Sequence, residues 1–273
     1  MSKAGYEGVY KQKTRESMGA DGKMDGCAIF FKRDRFALRE KHVVEYNESA
    51  IGYTGLLKLP PEALKRLSKD NVALVIVLEF LDARTNPRNR GNTQFLVVAN
   101  THIFWDPDFP DVKLWQVQTF LQELEKICIR VGTDANGQRN CLPLVIGGDF
   151  NSLPESGVHE LLSLGRLTPS HPDLLHDQFG VLSYGPLQHA LSLRDSYADA
   201  NEELQGMPKY TNYTGHFVGE IDYVLYTPER IRLRSFLQLV PEEKVSEFTA
   251  LPNQQWSSDH VALMCEFEYL PRT

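Results

Sequence analysis

The sequence is poor in the features that would place it in a membrane, outside the cell or along a nucleic-acid duplex. No apolar run reaches the roughly 18 residues that a spanning helix needs, so no membrane span is expected. The opening residues, Met1-Ser2-Lys3-Ala4-Gly5-Tyr6-Glu7, hold no apolar signal core. They also lack the cap, turn cluster or polar tail that usually opens a domain, so the chain is expected to be N-terminally truncated. Cysteine is scarce: Cys27, Cys128, Cys141 and Cys265, none in a close pair with metal-ligand spacing. Reduced thiols in a cytoplasmic protein, with the nucleus as a second compartment, are the expectation. Basic excess is missing too, and the formal net charge is −7. Phosphate neutralisation dominates nucleic-acid affinity, so this chain must meet phosphate locally, through bound cations or a small basic patch. Repeats, low-complexity tracts and linkers are absent, which points to one α/β domain over residues 1–273.

What is present reads as strands, loops and two helices. Residues 24–32 form a strand candidate, and residues 72–81 are almost all aliphatic, as in a strand buried on both faces. Residues 82–93, rich in Arg, Asn, Pro and Gly, read as a loop, and residues 95–99 as the antiparallel partner strand. Leu114, Val117, Leu121, Leu124, Cys128 and Val131 recur at spacings of three and four, predicting an amphipathic helix over 113–131. Residues 142–146 form a short buried strand. Residues 158–164 form a short helix, with Ser156 as its N-cap. No period is legible over 167–191. Strands follow at 221–226 and 231–239, and alternation from Val261 to Tyr269 ends the chain in a half-buried strand.

Four polar motifs sit at or near the ends of these strands: Asn100-Thr101-His102, Gly147-Gly148-Asp149-Phe150-Asn151, Ile221-Asp222-Tyr223 and Ser258-Asp259-His260. Asp149 and Asn151 lie two apart, so an extended backbone directs both to one side, as oxygen ligands for a hard cation. Taken alone, the same five residues are equally a strand-end turn. Asp222 lies inside a strand and needs a partner if buried, and a histidine such as His260 would supply one. That pair is as consistent with a structural hydrogen bond as with catalysis. His102 could donate to a phosphate oxygen, although a lone strand-end histidine is more commonly a packing residue. Together, the motifs collect carboxylates, histidines and asparagines at strand ends, where ligands gather in α/β folds.

The set resembles the exonuclease–endonuclease–phosphatase superfamily, and within it the carbon-catabolite-repressor-type poly(A) deadenylases, with nocturnin and angel as relatives. The resemblance runs from Gly5 to about Tyr269. It rests on residues 5–16, 25–32, 100–107 (Asn-Thr-His-Ile-Phe-Trp-Asp-Pro), 111–117, 147–154, 210–214 (Tyr-Thr-Asn-Tyr-Thr) and 256–260.

The resemblance implies a four-layer α/β sandwich of two mixed β-sheets flanked by helices, DNase-like and lacking its first strands. It implies a Mg²⁺-dependent 3′-5′ exoribonuclease, with Mn²⁺ as a substitute, that shortens poly(A) and releases 5′-AMP. Asp149, Asn151, Asp222, His260 and His102 fall on its catalytic positions, and Asp149, Asn151, Asp259 and His260 on metal-binding ones. Asn151, Phe217, Pro107 and Asn212 fall on substrate-binding positions, with Asn151 and Phe217 stacking on an adenine. Single-stranded poly(A) RNA is the implied partner, with deadenylase-complex subunits beside it, although the leucine-rich repeats of one subtype are missing. Family members also carry an earlier strand with a metal-binding glutamate, and Glu7 and Glu16 do not replace it. The alternatives are a catalytically impaired protein that binds poly(A) or a partner, and a phosphodiesterase of the same superfamily acting on another substrate.

Overall fold

A computed structural model describes residues 2–14, 25–81, 94–134, 136–198 and 209–270. The loop expected at 82–93 and Glu16 lie outside the described residues. The centre is one six-stranded mixed sheet. Its first members are β3 (Phe36–Glu45), β4 (Val72–Phe80), β5 (Phe95–His102) and β6 (Leu144–Asp149), preceded in the chain by β1 (Tyr6–Gln12) and β2 (Gly26–Lys32). The later strands are β7 (Arg194–Asp195), β8 (Asn212–Tyr213), β9 (Val218–Gly219), β10 (Asp222–Tyr226), β11 (Ile231–Phe236) and β12 (Cys265–Tyr269). The central order is β3-β4-β5-β6-β10-β7.

The aliphatic run expected at 72–81 is β4, and its period of two explains why it tolerates no polar residue. Ala73, Val75 and Val77 pack into the core shared with the helices. Val72, Leu74, Ile76 and Leu78 face the other way, against Val9, Cys27, Ile29 and Phe31 of β1 and β2. Both faces are therefore dry. Such runs commonly mark parallel strands, but β4 is antiparallel to both its neighbours. Burial on two faces, not strand direction, sets its composition.

β5 and β6 run parallel and are joined through α3 (Pro110–Gly132). This helix starts three residues earlier than its apolar spacing predicts, because Pro110 occupies the first turn, where a missing N–H costs nothing. Val117, Leu121 and Leu124 carry it against the sheet. The second expected helix is Gly157–Leu164, and the Ser156 side chain accepts from the His159 N–H as its cap. Gly165, at φ +71°, ends it in the left-handed conformation.

Two further helices, α1 (Tyr46–Leu57) and α2 (Pro61–Leu67), and the strands β1 and β3 carry no pattern read in the sequence. β3 is an edge strand with a bulge between Leu38 and Glu40, and it mixes charged and apolar residues along its length. Outside the central sheet, the described strands form three separate two-stranded ladders, β1–β2, β8–β9 and β11–β12. The α/β class, with a mixed central sheet flanked by helices, is thus as expected.

Candidate active site

Three neighbouring strands bring three polar residues into one row. In the parallel β5–β6 pair His102 lies opposite Asp149, and in the antiparallel β6–β10 pair Asp222 lies opposite Asp149. Residues opposite one another in register share a face of the sheet. His102 Nε2 is 3.5 Å from Asp149 Oδ2. The approach of β5 to β6 requires Gly148, since a Cβ there would stand 2.3 Å from the Thr101 carbonyl oxygen.

His260 enters from beyond the sheet. The segment around it is sewn to residues 211–213 by the Tyr213 N–H donating to Asp259 O (3.1 Å) and the Val261 N–H donating to Thr211 O (2.8 Å). His260 Nδ1 meets Asp222 Oδ2 at 2.7 Å, and its Nε2 lies 3.9 Å from Asp149 Oδ2. Thr211 Oγ1 donates to the same Asp222 oxygen at 2.7 Å and accepts the N–H groups of Ile221 and Asp222, both at 3.0 Å. An aspartate inside a strand is thereby satisfied from two sides.

The electrostatics follow from this crowding. Burial, then the facing Asp222 charge, pushes Asp149 up to about 7, against the pull of the Asn151 N–H, His260 and Lys13. The hydrogen bond to Asp222 raises His260, against its own burial, so the imidazole is biased toward its charged form. Asp149, Asp222 and His260 offer ligand atoms that all lie within 4.8 Å of one another. Two mutually repelling carboxylates beside one imidazole fit a hard divalent cation.

Asp222, read from the sequence as the partner of His260, also belongs to this ligand cluster, whereas Asn151 and Asp259 stand beside it. Asn151 is held in place by two bonds that it donates: Nδ2 to Ile103 O at 3.0 Å, and its N–H to Asp149 Oδ1 at 2.8 Å. Its backbone is left-handed, at φ +47°. Asp259, Asn151, Pro107, Asn212 and Phe217 all line one cleft of about 660 Å³ together with His102, Asp149 and His260. Phe217 is 41% exposed there, and Asn212 is buried, with its Oδ1 lacking a hydrogen-bond partner.

Motif reading missed the groups that hold these. Lys113, on the first turn of α3, is buried and donates from Nζ to the Asn151 carbonyl at 2.7 Å. Burial lowers its pKa, offset by the charges of Asp106, Asp149 and Asp173. Lys13 Nζ lies 3.2 Å from His102 Nδ1 and 3.1 Å from Asp25 Oδ2. Asn71 Nδ2 donates to His102 O, Gln116 Nε2 to Asn71 Oδ1, and the Phe104 N–H to Gln116 Oε1. Lys113 and Gln116 sit among the helix's apolar positions, and a polar residue breaking such a face was the available signal. Replacing Lys113 with methionine removes a charge-assisted bond to a strained backbone, a loss of about 1.5–3 kcal/mol. The expected outcome is a roughly 10- to 100-fold fall in turnover together with a fall of about 5 °C in melting temperature. Steady-state kinetics and a thermal melt check both.

The sequence model of the Endonuclease/Exonuclease/phosphatase family matches residues 3–260. The chain is 39% identical to carbon catabolite repressor protein 4 homolog 1 of Arabidopsis thaliana, covering 100% of this chain and 47% of that protein. It is 36% identical to the CCR4-Not complex 3′-5′-exoribonuclease subunit Ccr4 of Yarrowia lipolytica, over 97% of this chain and 38% of that one. The chain therefore spans half or less of the length of these curated relatives. Among solved structures it resembles ANGEL2, a 2′,3′-cyclic phosphatase, in complex with adenosine-2′,3′-vanadate. That likeness has a TM-score of 0.71 and 26% identity, over 97% of this chain and 75% of that one. The human nocturnin catalytic domain shares the fold, with a TM-score of 0.62 at 22% identity, over 98% and 74% of the two chains. A family match across nearly the whole chain, and relatives that align from end to end of it, make this chain a member of the Endonuclease/Exonuclease/phosphatase family and a homologue of its Ccr4-type exoribonucleases.

Proposed function

We propose that this chain is a Mg²⁺-dependent 3′-5′ exoribonuclease that removes poly(A) from mRNA and releases 5′-AMP. The observation that carries the reading is the row His102–Asp149–Asp222, closed by His260, whose His102, Asp149 and His260 line a cleft with an exposed phenylalanine in its wall. Asp149 orients the attacking water and takes its proton. The water oxygen bonds to phosphorus, the P–O3′ bond to the penultimate nucleotide breaks, and the 3′-oxygen leaves, taking up a proton from solvent water. His260, held by Asp222, donates from Nε2 to the phosphoryl oxygen as charge builds there, and His102 donates to a second oxygen. Asp149 and Asp222, with Asp259 and Asn151 beside them, would hold Mg²⁺ or Mn²⁺, while His260, bonded to Asp222 through Nδ1 and donating from Nε2, has no lone pair free for the ion. A cation held there would supply polarisation of the phosphate and neutralisation of its charge.

Phe217 and Asn151 flank the terminal adenine, with Pro107 and Asn212 completing its subsite. Stacking on an aromatic face contributes roughly 1–3 kcal/mol per base. Phe217→Ala is therefore expected to raise KM for oligoadenylate about 5- to 150-fold and to change kcat less. Equal losses in kcat and kcat/KM would place Phe217 in the chemistry instead.

The described residues form one nuclease domain in this reading, and the three outer ladders are parts of the second sheet of a four-layer sandwich. Subunits of a CCR4-Not-like complex are the proposed protein partners, and the cytoplasm, with the nucleus, the proposed compartment. The likeness to ANGEL2 favours one second reading, hydrolysis of a 2′,3′-cyclic phosphate at the same site. One assay separates the readings. The chain is incubated with oligoadenylate ending in a 3′-hydroxyl or a 2′,3′-cyclic phosphate, with and without Mg²⁺, beside Asp149→Ala. Release of 5′-AMP from the first substrate supports the exonuclease, and ring opening of the second alone supports the phosphatase. Binding without either product identifies a poly(A)-binding protein. Equal cleavage by Asp149→Ala removes the catalytic assignment.

A further inference from the structure

We infer that the cleft carries a second nucleotide subsite, built on Trp105 with Lys69 behind it, which holds the single-stranded RNA upstream of the scissile phosphate. The inference rests on the exonuclease reading and extends its substrate from one nucleotide to a strand.

Trp105 lines the cleft three residues after His102, on the same loop as Pro107. It is 60% exposed, whereas Phe104 beside it is buried, with ring centroids 6.1 Å apart. An indole held over a buried ring, and left open to solvent at a cleft rim, offers a stacking platform. A cation stands behind this loop. Lys69 Nζ lies 4.9 Å from the Phe104 ring centroid and 4.5 Å from that of Phe109. The described residues give its ammonium no hydrogen bond and no ion pair. Arg66 and Lys65 crowd it with like charge, and Asp106 and Asp111 oppose them. Asp111 is already neutralised by Arg66. Lys69, against the ring of the residue next to Trp105, is therefore a cation close to this loop in a chain whose net charge is −7. A strand of phosphates with unpaired bases supplies both the charge and the flat faces that this rim lacks, while a duplex offers no free base to the indole.

The test uses Asp149→Asn as background, so that no cleavage occurs, and measures Kd by anisotropy for 5′-fluorescein oligoadenylates of two and eight nucleotides. The octamer is expected to bind more tightly than the dimer. Adding Trp105→Ala should weaken the octamer about 5- to 150-fold and narrow the gap between the lengths. Trp105→Phe should restore most of the difference, and thermal melts should match the background because the indole is exposed. Lys69→Met should lower the slope of log Kd on log salt by about 0.7. Equal affinity for both lengths, or a Trp105→Ala effect that is the same on both or absent from both, overturns the subsite. Should the parent leave the octamer uncut while Trp105 still governs its binding, the exonuclease reading fails and the subsite stands. Normal cutting by the parent without any length effect removes the subsite and leaves the exonuclease reading intact.

Discussion

Replacing Asp149 with asparagine is expected to make the cation-free protein more stable at pH 8 and nearly inactive. Burial and the Asp222 charge push the Asp149 carboxyl up to about 7, far above its value in an unfolded chain. The folded state therefore binds more protons than the unfolded state between about pH 4 and pH 7. Stability is fully present below the unfolded value and is lost as pH rises through the folded one. At pH 8 the folded chain carries an ionised, partly buried carboxylate facing another. Asparagine keeps the shape and removes the repulsion, a gain on the order of 1–3 kcal/mol after the lost hydrogen-bond strength is allowed for. That corresponds to a rise of roughly 5 °C in melting temperature, and no rise at pH 4. Mg²⁺ should stabilise the parent at pH 8 more than at pH 5 and stabilise the variant little. Losing a carboxylate from the metal site removes several kcal/mol of transition-state stabilisation, so cleavage should fall about 10³-fold or more. A variant that melts lower than the parent at pH 8 without cation would show that Asp149 is not under electrostatic strain.

The second large effect lies in the fold, at Asp111. This carboxylate is completely buried and receives two hydrogen bonds from Arg66, each 2.7 Å, while the guanidinium lies 4.3 Å from the Phe109 ring centroid. The pair ties α2 to the first turn of α3, two residues from Lys113. Asp111→Ala strands a mostly buried guanidinium, and removing one partner of such a pair costs about 3–5 kcal/mol. The expected fall in melting temperature is about 10 °C or more, read by thermal or urea unfolding. The pair itself contributes far less than that. Arg66→Met combined with Asp111→Leu should recover most of the loss, because two apolar groups need no partners. A double variant as unstable as Asp111→Ala would instead assign the cost to lost packing against Phe109.

The legible parts of this chain were those in which the physics is local. β4 announced itself because both of its faces are dry. The core helix α3 showed its spacing, and Ser156 its capping role, within one turn of chain. β3 and α1 were illegible for the converse reason. β3 is an exposed edge held by distant groups such as Arg130, which reaches Glu40, and the Glu45 side chain that precedes α1 makes no cap hydrogen bond. In the candidate site, the motif residues could be named, but their supports could not. Lys113 holds a carbonyl 38 positions away, and His260 meets Asp222 across the same separation.

The sequence by itself determined β4 and its antiparallel partner β5, the core helix α3 and the capped helix at 157–164, because burial pattern and capping act over a few residues. It also determined which polar residues stand at the strand ends, and the family to which the motifs belong. Only the tertiary structure decided that Asp222 stands opposite Asp149 and repels it, that Thr211 and Lys113 fix the groups around them, and that Trp105 is left bare. Those outcomes depend on strand register and on the burial of charge at close range, and no local period encodes either.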